Sequence, residues 1–236
     1  MKLWELANET MDLQWDCICL SETRAGDGDT ILHGGHRLLS SLNGETYAGV
    51  ALLVHSRWSG NIINSGFIGG RIIWADISMG KYTFRYISVY APHAGYPIGL
   101  FEELMGNLRS TVADGQLKDY KCILGGDFNI IPSAEDVYNV KSFEDDALYR
   151  LEIRKKLREI INLGFHDAYR HIHGDKEGYT FWDYMRGAWQ KNNGMRIDHF
   201  LVSNSLIDQI KSININKDPR GREKPSDHTP IEIKLA

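Results

Sequence analysis

The chain has 236 residues, 42% of them hydrophobic and 25% charged, with a formal net charge of −4. That is ordinary for a globular protein with a sizeable core, and one domain over 1–236 fits the length. The charge balance excludes a strongly basic nucleic-acid coat, while a local basic rim or a bound cation stays compatible with work on a polyanion. Cys17, Cys19 and Cys122 lie in apolar strand-like runs. They read as buried reduced thiols, which points to an intracellular setting (cytoplasm in a bacterium, nucleus in a eukaryote) rather than a disulfide framework. No apolar run reaches the length of a membrane span, and no signal-peptide core opens the sequence.

Leu3, Trp4, Leu6, Ala7 and Met11 recur near helical spacing and predict a short amphipathic helix over 1–14. Trp15 to Leu20 is a buried-strand run ending in Ser21-Glu22-Thr23-Arg24 and a Gly/Asp loop. Taken alone, Glu22 reads as a solvated loop carboxylate; a strand tip is also where a rigid metal ligand is best held. Residues 47–54, 71–77 and 83–90 predict further strands. Ala91-Pro92-His93 breaks the last of them and leaves the Tyr90 hydroxyl at its end, where alone it reads as a half-buried strand aromatic. Gly99 to Val112 predicts a helix. Lys121 to Gly126 predicts a buried strand ending in a double glycine, followed by Asp127-Phe128-Asn129. Alternate residues of an extended segment face the same way, so Asp127 and Asn129 can share a site; an Asx turn is the plainer alternative. The glycine pair allows close backbone approach or unusual dihedrals.

Residues 144–163 predict a charged helix closed by Gly164, its charges a solvated face. Tyr179 to Trp189 is a polar-aromatic segment containing Arg186. Its rings suit either a core or a slot for an unstacked nucleotide. Asp198 then leads into the strand-like His199-Phe200-Leu201-Val202, and Asp227-His228 leads into Ile231-Glu232-Ile233. If those two strands pair, two carboxylates and an imidazole converge at one sheet edge. Such a group can bind a hard metal, hold one histidine tautomer and pass protons. His93, His166, His171, His173 and His199 have no motif context and read as surface or packing histidines; Ser226 reads as a turn residue. Strands and helices alternate throughout, which suggests an α/β sandwich of two sheets with helices outside.

Six landmarks occur in one order: Leu20-Ser21-Glu22-Thr23, Val89-Tyr90-Ala91-Pro92, Gly126-Asp127-Phe128-Asn129, Tyr179-Thr180-Phe181-Trp182-Asp183-Tyr184, Arg196-Ile197-Asp198 and Ser226-Asp227-His228. Each is weak alone, but the ordered set resembles the endonuclease/exonuclease/phosphatase superfamily over nearly the whole chain. Within it the chain resembles the exonuclease III-type apurinic/apyrimidinic (AP) endonucleases. Residues beyond about 130 look most like bacterial exonuclease III proteins; residues 1–129 look more like the endonuclease domain of non-LTR retrotransposons.

The resemblance implies a four-layer α/β sandwich, two packed mixed sheets flanked by helices. It also implies an opening strand that carries an asparagine. The sequence starts at the helix that would follow that strand, with Asn8 in it, so the fold is expected without the usual first strand. The implied activity is Mg²⁺-dependent hydrolysis of double-stranded DNA 5′ to abasic sites, with Mn²⁺ as substitute, by a monomer. A 3′→5′ exonuclease or 3′-phosphatase activity is implied beside it. Carried over residue by residue, Glu22 is the main metal ligand with Asp227 near the metal, and Asp127 orients or deprotonates the attacking water. Asn129 and Tyr90 donate hydrogen bonds to the phosphate, and His228 contacts it with Asp198 holding the imidazole. Phe181, Trp182 and Trp189 line a pocket for a flipped, baseless sugar, and Arg186 touches the DNA backbone. Two other readings stay open: nicking of undamaged DNA, suggested by the N-terminal half, and DNA binding without turnover, suggested by the absent strand. Lipid and inositol phosphate phosphatases rank lower because of the aromatic segment.

Overall fold

The computed structural model describes residues 14–44, 48–93 and 96–236. The helix expected over 1–14 lies outside them, apart from residue 14. Strands β1 (Cys17–Ser21), β2 (Gly28–Ile31), β3 (Arg37–Ser41) and β4 (Val50–Val54) precede a single helical turn, α1 (Ser56–Ser59). Strands β5 (Ile62–Ile68), β6 (Ile72–Met79) and β7 (Tyr82–Tyr90) lead to the long helix α2 (Ile98–Leu117) and then to β8 (Lys121–Asp127). Helix α3 (Leu151–Ile161), β9 (Phe165–Asp167), α4 (Ala168–His173), β10 (Asp198–Ser203), β11 (Ile210–Ile215) and β12 (Ile231–Leu235) complete the chain.

The strands form a four-stranded antiparallel sheet ordered β1-β4-β3-β2, a six-stranded mixed sheet ordered β5-β6-β7-β8-β10-β9, and a two-stranded β11-β12 sheet. β7 and β8 are the parallel pair of the large sheet, joined by the crossover helix α2. Strand alternation sorts the large sheet's side chains into two cores. Ile72, Ile87, Val89 and Leu124 pack against Phe101, Leu104 and Leu108 of α2 and Ile153, Leu157 and Ile160 of α3. On the opposite face Ile73, Ala75, Ile77 and Tyr90 meet Leu39, Val50, Leu52 and Val54 of the four-stranded sheet. The small sheet packs on that same face beside it, through Ile123, Val202 and Ile213. The α/β sandwich expected from the sequence is therefore present.

Three expectations are corrected. The strands that follow Asp198 and His228 do not pair: β10 lies between β8 and β9, while β12 pairs with β11. The single helix over 144–163 is instead a series of 3₁₀ turns (Val140–Phe143 and Ala147–Tyr149) before α3 begins at Leu151. Asp146 interrupts the helix there, because its side chain accepts from Leu148 N and caps a separate turn. The loop expected after Arg24 contains β2, a strand whose residues are all exposed, and so carries no apolar signal.

Candidate active site

Parallel pairing puts the last residues of β7 and β8 level, with Tyr90 opposite Asp127. β10 runs antiparallel to β8 from its first residue, so Asp198 is also opposite Asp127. Strand alternation points all three side chains to the face that meets the smaller sheets. β1 ends beside them, and Glu22 follows its last residue; the Tyr90 hydroxyl donates to Glu22 Oε1 at 2.9 Å. One pole of the sandwich therefore collects side chains from four strand ends.

The glycine pair makes that convergence sterically feasible. A Cβ at Gly126 would lie 2.0 Å from Val89 O, and the residue has φ +138. A Cβ at Gly125 would lie 2.5 Å from the Phe200 ring. Both glycines let neighbouring strands close up just below the site.

Asp127 is 4% exposed. Asn129 N donates to its Oδ1 at 2.9 Å and Asn129 Nδ2 to its Oδ2 at 3.2 Å. Asn129 reaches back in this way because its backbone turns left-handed, φ +50; of the two alternatives the sequence left open, the Asx turn forms, Asn129 N bonding Asp127 Oδ1. Its amide also donates to Ala91 O at 2.9 Å. Both amide hydrogens are thus spent inside the protein. Asn129 orients Asp127 rather than presenting a free donor to a phosphate. Tyr90 likewise spends its one hydrogen on Glu22, and burial, reinforced by that carboxylate, raises the phenol so that it stays protonated. Glu22 is exposed and has φ +55.

His228 is brought in by a loop that the aromatic segment pins. Phe181 bridges His228 through the backbone, Trp182 N donates to Asp227 O at 2.9 Å, and Thr229 N donates to Thr180 O at 2.8 Å. Ser226 is a turn residue as expected, its Oγ accepting from His228 N at 3.1 Å. The imidazole Nδ1 lies 2.9 Å from Asp198 Oδ2, and Nε2 lies 3.9 Å from Asp127 Oδ2. Burial alone would lower the imidazole pKa; the adjacent Asp198, with Asp127 and Asp227, overrides this and pushes it up to about 10. Asp127 is raised as well: burial first, then the negative charge of Asp198, pushes it up to about 7.

Ligand atoms of Asp127, Asp198 and His228 lie within 4.8 Å of one another. Glu22 and Asp227 add negative charge, Glu22 acting on Asp127 and Asp227 on His228. A pocket with four carboxylates and one imidazolium is short of positive charge, and its donors are hard oxygens. These residues fit a hard divalent cation.

The other expected site residues separate. Phe181 is half-buried with its ring 5.0 Å from that of His228, at the site. Trp182 is 0% exposed and packs edge-on to Trp189 at 4.8 Å, with Nε1 donating to Asn192 Oδ1. It therefore supports the segment from within and lines no open slot. Trp189 is half-buried, and Arg186 is exposed at φ +56 beside Gly187. Tyr184, given no role from the sequence, ties this loop to the His228 loop by donating to Pro225 O at 2.8 Å.

A charged network under the site was also missed. Arg196 is fully buried and donates to Asp136 at 2.6 Å and to Asp167 at 2.7 Å. It also meets His199 Nδ1 at 3.0 Å, while His199 Nε2 contacts Ile130 O, so His199 is the packing histidine expected. An arginine two residues before Asp198, at the mouth of a buried strand, was the available signal that partners must lie nearby.

A model of the endonuclease/exonuclease/phosphatase family matches residues 2–228. The chain belongs to that family. An exodeoxyribonuclease of Bacillus subtilis is 30% identical over 227 residues, covering 92% of this chain and 87% of its own. A DNA-(apurinic or apyrimidinic site) endonuclease of Dictyostelium discoideum is 38% identical over 171 residues, covering 70% of this chain and 45% of its own. The share of a relative's length that the chain spans falls as low as 32%. Among solved structures, a 3′ phosphatase from Neisseria bound to a product DNA hairpin superposes with a TM-score of 0.86 at 26% identity. That match covers 99% of this chain and 94% of the other.

Proposed function

We propose that this chain is a divalent-metal-dependent DNA phosphodiesterase that incises 5′ to abasic sites and also trims blocked or recessed 3′ ends. The observation that carries this reading is the Asp127–His228–Asp198 group. A proton-accepting carboxylate and an imidazolium stand side by side, with the imidazolium tied to a second carboxylate. The names of the relatives, an exodeoxyribonuclease, an AP endonuclease and a 3′ phosphatase, support the substrate class.

Asp127, held on both oxygens by Asn129, takes the proton of the attacking water and fixes its line of approach. His228, kept cationic by Asp198, donates from Nε2 to a phosphate oxygen as charge builds there. Asp198 holds the ring in that orientation throughout, as the third group of a triad does. Glu22, oriented by Tyr90, and Asp227 are the residues that would hold the metal. Mg²⁺, with Mn²⁺ as substitute, supplies neutralisation of the phosphate and of the leaving O3′ when bound. Phe181, beside His228, offers an apolar wall to a sugar without a base, which is cheaper to extrude than an intact nucleotide.

Two labelled duplexes, one with a single abasic analogue and one intact, each incubated with Mg²⁺ and with EDTA, test the reading. Metal-dependent incision at the abasic position is expected. Equal nicking of both duplexes replaces abasic recognition with general nicking, and no cleavage of either refutes the catalytic reading.

A further inference from the structure

The chain is acidic overall, yet residues 150–158 hold five basic residues, Arg150, Arg154, Lys155, Lys156 and Arg158, against one acidic residue, Glu152. Sequence alone presents this as a solvated helix face. The structure places it beside the site. Asn129, Pro92, Phe101, Arg150 and Ile153 line one small cleft, so the start of α3 abuts the residue that orients Asp127. The far end of α3 points to the other pole of the sandwich, where Gln116 of α2 donates to Leu163 O. A row at i, i+4, i+8 therefore leads away from the catalytic group: Arg150, then Arg154 about 6 Å further along the axis, then Arg158.

Some of the molecule's cations are already held by carboxylates. Arg37, Arg57, Arg85, Arg170, Arg196, Lys118 and Lys156 each hold a carboxylate partner. Among the described residues, neither Arg150 nor Arg154 makes an ion pair. Arg150 is exposed, and Arg154 is held in place by its guanidinium lying 4.1 Å from the centre of the Tyr149 ring. One guanidinium held on a ring and one exposed beside it, neither paired with a carboxylate and both next to a site for phosphodiester chemistry, are complementary to a run of phosphates.

We infer that Arg150 and Arg154 form a backbone track that binds the DNA phosphates flanking the scissile one on the Asn129 side. The inference rests on the DNA-cleaving reading above and adds where the duplex leaves the site. Such contacts give register and affinity without reading sequence. Each phosphate neutralised should contribute about 0.9 to the slope of log affinity against log salt.

The test is the affinity for the abasic-analogue duplex in EDTA, where it is not cut, measured from 50 to 300 mM salt. Arg150→Gln and Arg154→Gln should each weaken binding several-fold at low salt and flatten the slope by about one. Arg150→Lys should restore most of both. Lys118→Gln, at the opposite pole and paired with Asp114, should change neither. Wild-type slopes in the arginine variants, or equal flattening in Lys118→Gln, would overturn the track while leaving the nuclease reading intact. A wild-type protein that neither binds nor cuts the duplex would overturn both.

Discussion

Asp198 sets what His228 can do. Burial lowers the imidazole; that carboxylate at 2.9 Å, ahead of Asp127 and Asp227, offsets it and holds the ring at about 10. Asp198→Asn should therefore bring the His228 pKa down towards its ordinary value near 6.5, readable by NMR titration. Cleavage should slow by about 10²–10⁴-fold with the fold unchanged. An imidazole that still titrates near 10 in that variant would show that Asp198 is not its main partner. Glu22, Tyr90, Asp127, Asp198 and His228 were legible through the ordered motifs of the family resemblance, whereas pattern alone favoured a loop carboxylate at Glu22 and a half-buried aromatic at Tyr90. Their division of labour could not be read. Whether Asn129 serves a substrate or its own protein depends on Ala91 O, 38 positions away. The burial of Trp182 depends on Trp189 folding back over it.

At the level of elements, apolar runs and the alternation over 83–90 gave β4, β6, β7 and β8 to within about three residues at each end. β2 and β5 escaped because they are mostly exposed and offer no alternation to see. The join of β7 and β8 at Gly126 is the tightest point of the site's scaffold. Gly126→Ala would set a methyl 2.0 Å from Val89 O at φ +138. The two strands must part or the residue must flip, and either outcome displaces Asp127. A loss of more than about 3 kcal/mol in denaturant unfolding is expected, with activity falling further than stability. Wild-type unfolding of this variant would mean that β8 can shift without penalty.

Across the whole molecule, Arg196 joins the loop of Asp136 to the edge strand of Asp167 and to the strand that begins with Asp198. Burial alone would raise both carboxyls; the Arg196 charge overrides it and holds them below the ordinary carboxylate value. Their folded pKa values lie below the unfolded one. This stabilisation is therefore complete above the unfolded pKa, near 4, and is lost as pH falls through it towards the folded values. Melting temperature should drop steeply on acidification below about pH 4. Arg196→Met, which leaves largely buried Asp167 without its cation and Asp136 with Arg170 alone, should cost about 3–5 kcal/mol at neutral pH. Its acid limb should be flatter, because those carboxyls no longer resist protonation. A parallel pH profile in the variant would place the acid sensitivity elsewhere. The left-handed backbone at Glu22 and Asn129 has a consequence of its own. Each such residue carries about 1 kcal/mol of conformational strain that glycine would not, and Glu22 also adds charge to an already acidic pocket. Glu22→Gln, which removes that charge and keeps an acceptor for the buried Tyr90 hydroxyl, should thus yield a protein that has lost metal-dependent cleavage yet melts at a higher temperature than its parent. On that outcome durability and turnover would be traded against each other at this position; a lower melting temperature in the variant would refute the trade.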